Sequence, residues 1–290
     1  MILAFPEYLN QARRLASRLN VPLAEVMLHR FPDRESLVRL PPLLPDHVIL
    51  CRSLNDPNDK LIELLLCAQT ARELGAKRLT LVAPYLCYMR QDIANHSGEA
   101  VSQRIIGKLL ASLFDDVITV DPHLHRISLL NQAIPIRNAV SLSAAGEIGE
   151  FLRRQLPNAL LLGPDSESEQ WVASIAKKTK GDYLIASKQR FGDKQVEITL
   201  PEGDYRNKPV VIIDDMASTG RTLAKAARLV QAAGCREIYA VVTHALFCED
   251  AEAQVRSAGV QALWSTDSIS HPLACIHLDQ ILAEAILQIQ

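Results

Sequence analysis

The chain has 290 residues, with 31 Lys plus Arg against 33 Asp plus Glu, a formal charge of −2, 48% hydrophobic residues and 22% charged residues. At roughly 150 residues per domain the length predicts two domains, and the composition excludes disordered and fibrous classes. The near balance of charge provides no general basic surface for nucleic-acid phosphates, and no apolar run approaches the ~18 residues of a membrane span, so neither nucleic acid nor membrane is an expected partner.

In chain order, strands are predicted over residues 1–5, 47–52, 78–83, 116–120, 159–162, 183–187, 210–213, 237–243 and 261–264. Helices are predicted over 8–19, 60–74, 100–113, 144–156, 167–178, 222–233 and 279–286. Short apolar, β-branched or Leu-rich runs alternating with helical periodicity predict an α/β fold with a largely parallel sheet. A weak internal repeat sets Gly75, Lys77, Arg78, Leu79 and Val82 against Gly234, Arg236, Glu237, Ile238 and Val241, each set closing a helix and opening a strand. Two similar halves are therefore expected, 1–141 and 142–290. Six scattered cysteines without Cys-x-x-Cys spacing read as reduced, mostly buried thiols. The first residues run straight into a strand with no leader pattern, which makes a cytoplasmic location the expectation.

The strongest chemical signal is Val210-Val211-Ile212-Ile213-Asp214-Asp215-Met216-Ala217-Ser218-Thr219-Gly220-Arg221-Thr222. A buried strand ends in two carboxylates, and a loop of small and hydroxylated residues then opens a helix. Backbone N–H groups and the positive helix end can surround a phosphate, with Ser218, Thr219 and Thr222 adding hydroxyls. The acidic pair can accept hydrogen bonds from sugar hydroxyls or hold a hydrated Mg²⁺. A phosphorylated sugar is the implied ligand. Walker A and Gly-x-Gly-x-x-Gly patterns are both missing from the sequence, so a nucleotide would be held in another way.

This loop resembles the 5-phosphoribosyl 1-pyrophosphate (PRPP) motif shared by type I phosphoribosyltransferases and ribose-phosphate pyrophosphokinases. Other segments favour the second family. Phe31-Pro32-Asp33-Arg34-Glu35 resembles its Phe-Ser-Asp-Gly-Glu segment. Tyr85-Leu86-Cys87-Tyr88-Met89-Arg90-Gln91-Asp92 resembles its Tyr-x-x-Tyr-x-Arg-Gln-Asp. Asp121-Pro122-His123 is similar to its Asp-Leu-His, with Pro122 in place of Leu and Leu124-His125-Arg126 in place of a Gln-containing continuation. Pro164-Asp165 and Lys188-Gln189-Arg190, followed by Phe191-Gly192-Asp193, resemble further family segments. So do Ser265-Thr266-Asp267-Ser268-Ile269 and Leu282-Ala283-Glu284-Ala285-Ile286. Arg34 and Arg221 depart from the small residues usual in the family.

The resemblance implies two similar type I phosphoribosyltransferase-like domains, each a mainly parallel sheet flanked by helices. It also implies transfer of the β,γ-diphosphoryl group of ATP to the C1 hydroxyl of ribose 5-phosphate, giving PRPP and AMP. By the same resemblance Phe31, Asp33 and Glu35 contact adenine across a subunit interface, and Arg90, Gln91 and Asp92 engage ATP and its phosphates. His123, assisted by Asp165, binds Mg²⁺. Asp214 and Asp215 hold the ribose hydroxyls, residues Ala217, Ser218, Thr219, Gly220, Arg221 and Thr222 hold the 5-phosphate, and Lys188 and Arg190 close over the transition state. Alternate strand residues project to one side, so both cations can reach one bridging phosphate. A homo-oligomer built from dimers, tetrameric or hexameric, is implied. Two alternatives stay open at this point: an inactive regulatory subunit of the same fold, and a phosphoribosyltransferase that consumes PRPP.

Overall fold

The computed structural model describes residues 1–124, 126–191 and 195–289, with the backbone alone for 188–191 and 195–197. It divides into two compact units, Met1–Leu142 with Asp279–Gln290, and Ser143–Leu278.

The first unit contains β1 (Ile2–Ala4), α1 (Leu9–Leu19), β2 (Leu23–Glu25), a hairpin of β3 (Met27–Arg30) and β4 (Ser36–Arg39), β5 (His47–Cys51), α2 (Pro57–Glu73), β6 (Arg78–Val82), α3 (Ser102–Leu113), β7 (Asp116–Val120) and β8 (Asn138–Leu142). Its sheet has the order β2-β1-β5-β6-β7-β8, and every neighbouring pair is parallel. Strands covered on both faces must be apolar on both. Accordingly Val48, Leu50, Leu79, Leu81 and Val117 pack with Leu64, Cys67 and Ala71 of α2 and with Leu110 and Leu113 of α3.

The second unit contains α4 (Ala145–Gln155), β9 (Leu160–Gly163), α5 (Glu169–Thr179), β10 (Tyr183–Ile185), a hairpin of β11 (Ser187–Phe191) and β12 (Gln195–Thr199), β13 (Val210–Ala217), α6 (Arg221–Ala232), β14 (Ile238–Ala245), α7 (Ala251–Ser257), β15 (Val260–Thr266) and β16 (Ala274–Ile276). Its sheet, β10-β9-β13-β14-β15-β16, is again parallel throughout. The order reproduces that of the first sheet strand for strand, with the hairpin inserted at the same place. The repeat read from the sequence is therefore a structural one. Gly75 after α2 and Gly234 after α6 both adopt φ of +98°, the left-handed backbone that ends a helix with little penalty for glycine.

The last helix, α8 (Asp279–Gln288), follows the second unit in sequence but belongs to the first. The division of the sequence at 141/142 places it in the second half, and the contacts correct that. Arg14 and Arg18 of α1 pair with Asp279 in its first turn, Arg78 donates to the Ile289 carbonyl at 2.6 Å, and Leu282 and Ile286 are buried. Strands β2, β3, β4, β8, β11, β12 and β16 and helix α7 also lie outside the sequence reading. Most are three to five residues long and half-buried or exposed, too short to show a period.

None of the six cysteines is paired. Burial pushes the thiols of Cys51, Cys67 and Cys87 up to about 12, so these three stay protonated and inert. Cys248 and Cys275 are exposed. Among the described residues no helix is long and apolar enough to cross a membrane.

Gly107 sits mid-way along α3, and a Cβ there would lie 1.9 Å from the Ala133 carbonyl oxygen. A backbone atom cannot step aside as a side-chain tip can. Gly107→Ala is expected to destabilise the first unit by about 1–3 kcal/mol despite the better helix propensity of alanine, read as a lower Tm; an unchanged or higher Tm would show that the 133–134 segment yields freely.

Candidate functional site

In the second unit β13 lies between β9 and β14, and Val210, Val211, Ile212 and Ile213 are all buried. Beyond Ile212 the strand loses its β9 neighbour but stays paired with β14 as far as Ala217, and on this one-sided stretch stand Asp214 and Asp215. Residues Ser218 and Thr219 lead to Gly220, whose φ is +67° and whose Cβ would meet the Ala251 carbonyl and Val255 Cγ2 at 2.9 Å each. Only glycine satisfies both demands. The loop carbonyls are already engaged: Leu246 and Phe247 N–H donate to Ala217 O at 3.1 and 2.8 Å, and Cys248 N–H donates to Ser218 O at 2.9 Å. Helix α6 starts at Arg221 with no acidic residue in its first turn, so its orphan N–H groups and positive end are not neutralised by the helix itself.

Burial pushes the Asp214 carboxyl well above the usual carboxylate range, and the neighbouring charges of Asp215 and Asp165 push it further. Asp165, at the end of β9, accepts hydrogen bonds through Oδ1 from the N–H groups of Glu167 and Ser168 at 3.1 and 3.3 Å. It thus caps the helical turn leading into α5 while facing the acidic pair electrostatically. The backbone of β11 places Lys188 and Arg190 at alternate positions, opposite Ile198 and Val196 of β12. The side chains of Lys188 and Arg190, and Gly192 and Asp193 of the same predicted segment, lie outside what the structure describes.

In the first unit the corresponding residues collect in two loops at the carboxyl ends of β6 and β7, and on the β3–β4 hairpin. Val120 N–H donates to Pro84 O at 3.1 Å, joining the starts of the two loops. Tyr88, two residues before Arg90, has φ of +60°, and Asp121, two residues before His123, has φ of +38°. Such strain in non-glycine residues persists only where the surroundings impose it and concentrates at functional sites. Arg90 is exposed and His123 half-exposed. Gln91 Oε1 accepts from Ser102 Oγ at 2.6 Å, and the Asp92 carboxylate accepts from Arg126 Nη1 at 2.6 Å. His125 lies outside the described residues. Neither Arg126 nor Asp121 was singled out as a site residue from the sequence, and the signal for both was available in the Asp-Pro-His-x-x-Arg run that carries His123.

The hairpin tip is closed by Phe31 N–H to Glu35 O at 2.8 Å, Arg34 N–H to Phe31 O at 2.9 Å, and Glu35 N–H to Asp33 Oδ1 at 3.2 Å. Phe31 is exposed and meets His29 edge-on, with centroids 4.9 Å apart. Below the tip, Arg30 pairs with Asp59 of α2 at 2.6 Å and Ser36 Oγ donates to Glu63 Oε1 at 2.9 Å. Glu63 in turn pairs with the buried Arg52 at 2.5 Å, whose guanidinium also meets Glu7 at 2.7 Å and stacks 3.9 Å from the Phe5 ring centre.

Arg34 has φ of +77°, which explains why glycine suits this position in the family pattern. Arg34→Gly is expected to keep the hairpin and to raise stability by up to ~1 kcal/mol, relief of the left-handed backbone exceeding the greater freedom of the unfolded chain; a lower Tm would assign the guanidinium a stabilising contact. For Asp214 the sign is opposite to that of a salt-bridged acid. Its carboxyl prefers the protonated form in the folded protein, so stability is lost as pH rises from the ordinary carboxylate value, ~4, toward the raised one. Asp214→Asn is therefore expected to raise Tm at neutral pH, with the gain shrinking as pH falls toward the ordinary value; a Tm gain independent of pH would exclude titration of Asp214 as its source.

Residues 1–113 match the family model described as the N-terminal domain of ribose phosphate pyrophosphokinase, and residues 141–258 match the phosphoribosyl transferase domain. A ribose-phosphate pyrophosphokinase from Methanopyrus kandleri is 33% identical over 290 residues, covering 99% of this chain and 98% of the relative. One from Thermococcus kodakarensis is 32% identical over 256 residues, covering 88% of this chain and 90% of the relative. In fold, the chain is similar to the crystal structure of phosphoribosylpyrophosphate synthetase from Mycobacterium smegmatis, with a TM-score of 0.82, 21% identity and coverage of 100% and 98%. Likeness that extends over both units and nearly the full length of these relatives, and not over the loop after β13 alone, establishes that the chain belongs to the ribose-phosphate pyrophosphokinase family.

Proposed function

We propose that the chain transfers the β,γ-diphosphoryl group of ATP to ribose 5-phosphate. The C1 oxygen attacks the β-phosphorus, the bond from that phosphorus to the α–β bridging oxygen breaks, and PRPP and AMP leave while the C1 hydroxyl gives up its proton. The observation that carries this reading is the end of β13, where an acidic pair adjoins the unneutralised N-terminus of α6. The 5-phosphate takes the N–H groups and hydroxyls of residues 217–222, and Asp214 and Asp215 accept from the ribose hydroxyls.

ATP is assigned to the first unit. Arg90 offers a planar fork of donors suited to a polyphosphate, with Gln91 and Asp92 beside it. Phe31, Asp33 and Glu35 on the exposed hairpin tip are assigned to adenine, bound between neighbouring copies of a homo-oligomer in the cytoplasm. Lys188 and Arg190 on β11 are assigned to the charge that spreads over the transferred phosphate oxygens.

The metal is proposed to be Mg²⁺. Among the described residues no three His, Cys, Asp or Glu side chains form a metal cage. That fits an ion which keeps several waters and binds through one or two protein groups plus substrate phosphates. Burial and the charges of Asp215 and Asp165 disfavour charge on Asp214, which a divalent cation would relieve. His123 and Asp165 are the residues assigned to hold it, and when bound it would neutralise phosphate charge.

Incubation with ATP, ribose 5-phosphate and Mg²⁺, followed by phosphorus NMR, is expected to yield AMP and PRPP in equal amounts and no ADP. Chelation of divalent ions should stop turnover, and Lys188→Ala should lower kcat on the order of 10²-fold with the fold intact. Release of pyrophosphate from PRPP only when a nucleobase is added would assign a phosphoribosyltransferase instead. No product from a folded chain would assign a regulatory subunit.

A further inference from the structure

We propose that Arg126 is a further cationic contact for the polyphosphate of the nucleotide, and that Asp92 acts as the residue positioning it rather than as a nucleotide ligand. The proposal rests on the assignment of ATP to the loops after β6 and β7.

The Asp92 side chain is only 5% exposed, whereas that of its partner Arg126 is 59% exposed. A carboxylate sunk into the protein and a phosphate repel one another, so Asp92 cannot serve the nucleotide by touching its phosphates. It can serve by what it holds. Its Oδ1 takes a single nitrogen of Arg126 at 2.6 Å, and a guanidinium has five N–H donors. Most of that fork remains for an anion.

A second observation points to a ligand. Asp92 Oδ2 is buried and has no hydrogen-bond partner among the described residues. A buried carboxylate oxygen left in this state is destabilising and calls for a hydrogen-bond donor or a cation, which a metal-bound polyphosphate would bring with it and a bare phosphate oxygen would not. An ordinary surface ion pair leaves both partners in water and has no such orphan.

The position within the fold agrees. Asp92 lies two residues beyond Arg90 in the loop after β6, and Arg126 three beyond His123 in the loop after β7. These strands are adjacent and parallel, so the pair ties together two loops at the carboxyl rim, where parallel sheets bind ligands. The strained backbones of Tyr88 and Asp121 lie on the same two loops. The pair thereby sets a second guanidinium beside the Arg90 loop, at a position where the family pattern carries a neutral continuation.

The test compares ATP with AMP, which lacks the β- and γ-phosphates. In the full chain with Mg²⁺, calorimetry and steady-state kinetics should show that Arg126→Ala weakens ATP binding and raises KM for ATP by roughly 10- to 100-fold, while AMP binding and KM for ribose 5-phosphate hardly change. Arg126→Lys should recover part of the loss. Asp92→Asn should weaken ATP in the same direction and add nothing further in the Arg126→Ala background, as expected of two groups acting as one unit. If Arg126→Ala fails to fold, Arg126→Gln reads the same ATP-to-AMP ratio.

Equal effects on ATP and AMP, or none on either, would overturn the proposal, as would an Asp92→Asn effect that persists undiminished without Arg126. A wild-type chain that binds ATP and forms PRPP, with Arg126 variants that do the same, would reject the role of Arg126 alone. A wild-type chain that binds no ATP would reject the functional reading and this proposal with it.

Discussion

A parallel sheet covered on both faces leaves no room for charge inside its strands, and this constraint sorts the ionisable residues of the chain to the strand ends. What happens there differs between the two edges. At the amino edge of the first sheet Asp116 accepts from Arg78, Thr80 and Asn138 at 2.6–3.0 Å. Burial opposes its charge, but these hydrogen bonds win and hold the carboxyl below its ordinary range. At the carboxyl edge of the second sheet, burial and like charges hold Asp214 above it. The same residue type is held charged by its neighbours at one edge and pushed toward the protonated form by them at the other.

The carboxyl edge also requires the chain to turn in ways that ordinary residues resist. Gly220 meets this demand with no Cβ, whereas Tyr88, Asp121 and Arg34 adopt positive φ with one. The loops are held to those shapes by cross-ties such as Thr119 Oγ1 to Pro84 O at 3.3 Å and Leu54 N–H to Tyr85 O at 2.9 Å. The β3–β4 hairpin depends on a longer chain of contacts, from Ser36 through Glu63 to Arg52, whose charge is neutralised by Glu63 and Glu7. Loss of one member would strand a buried charge, so the arrangement is rigid in a way that the exposed Arg30–Asp59 pair is not.

Much of this architecture was legible in the sequence because a central parallel strand must be nearly all apolar. β5, β6, β7, β13 and β14 announced themselves as buried runs, and the amphipathic helices between them forced parallel connections. The loop after β13 was legible for a related reason: an acidic pair is conspicuous after four buried apolar residues, and in the fold it falls where the strand has lost one of its two neighbours. The hairpins were not legible. β3 carries His29 and Arg30, β4 carries Ser36 and Arg39, and neither alternates cleanly enough to read as a strand. The place of α8 was also hidden, since its partners Arg14, Arg18 and Arg78 lie some 200 residues or more away in sequence and pair with it through single contacts. Arg126 was passed over although the Asp-Pro-His-x-x-Arg run carries it, because its pairing with the buried Asp92 is visible only in the fold.

The duplication sharpens the functional argument, because two units of one topology carry different chemistry at equivalent places. The strand beside the first strand of each sheet is β5 in one unit and β13 in the other, and each leads into a helix. After β13 come two carboxylates and a helix whose first turn has no acid. After β5 comes Arg52, already paired twice, and then α2, with Asp59 in its first turn and Lys60 turned back onto Ser53 O and Asn55 Oδ1 at 2.8 and 3.0 Å. The first unit has thus used its own side chains to neutralise the edge at which the second has a helix start with no acid in its first turn and a raised carboxyl. A phosphate would meet an acid in the helix turn after β5 and none in that after β13, and the residues of the first unit proposed to serve ATP gather one and two strands further along, after β6 and β7.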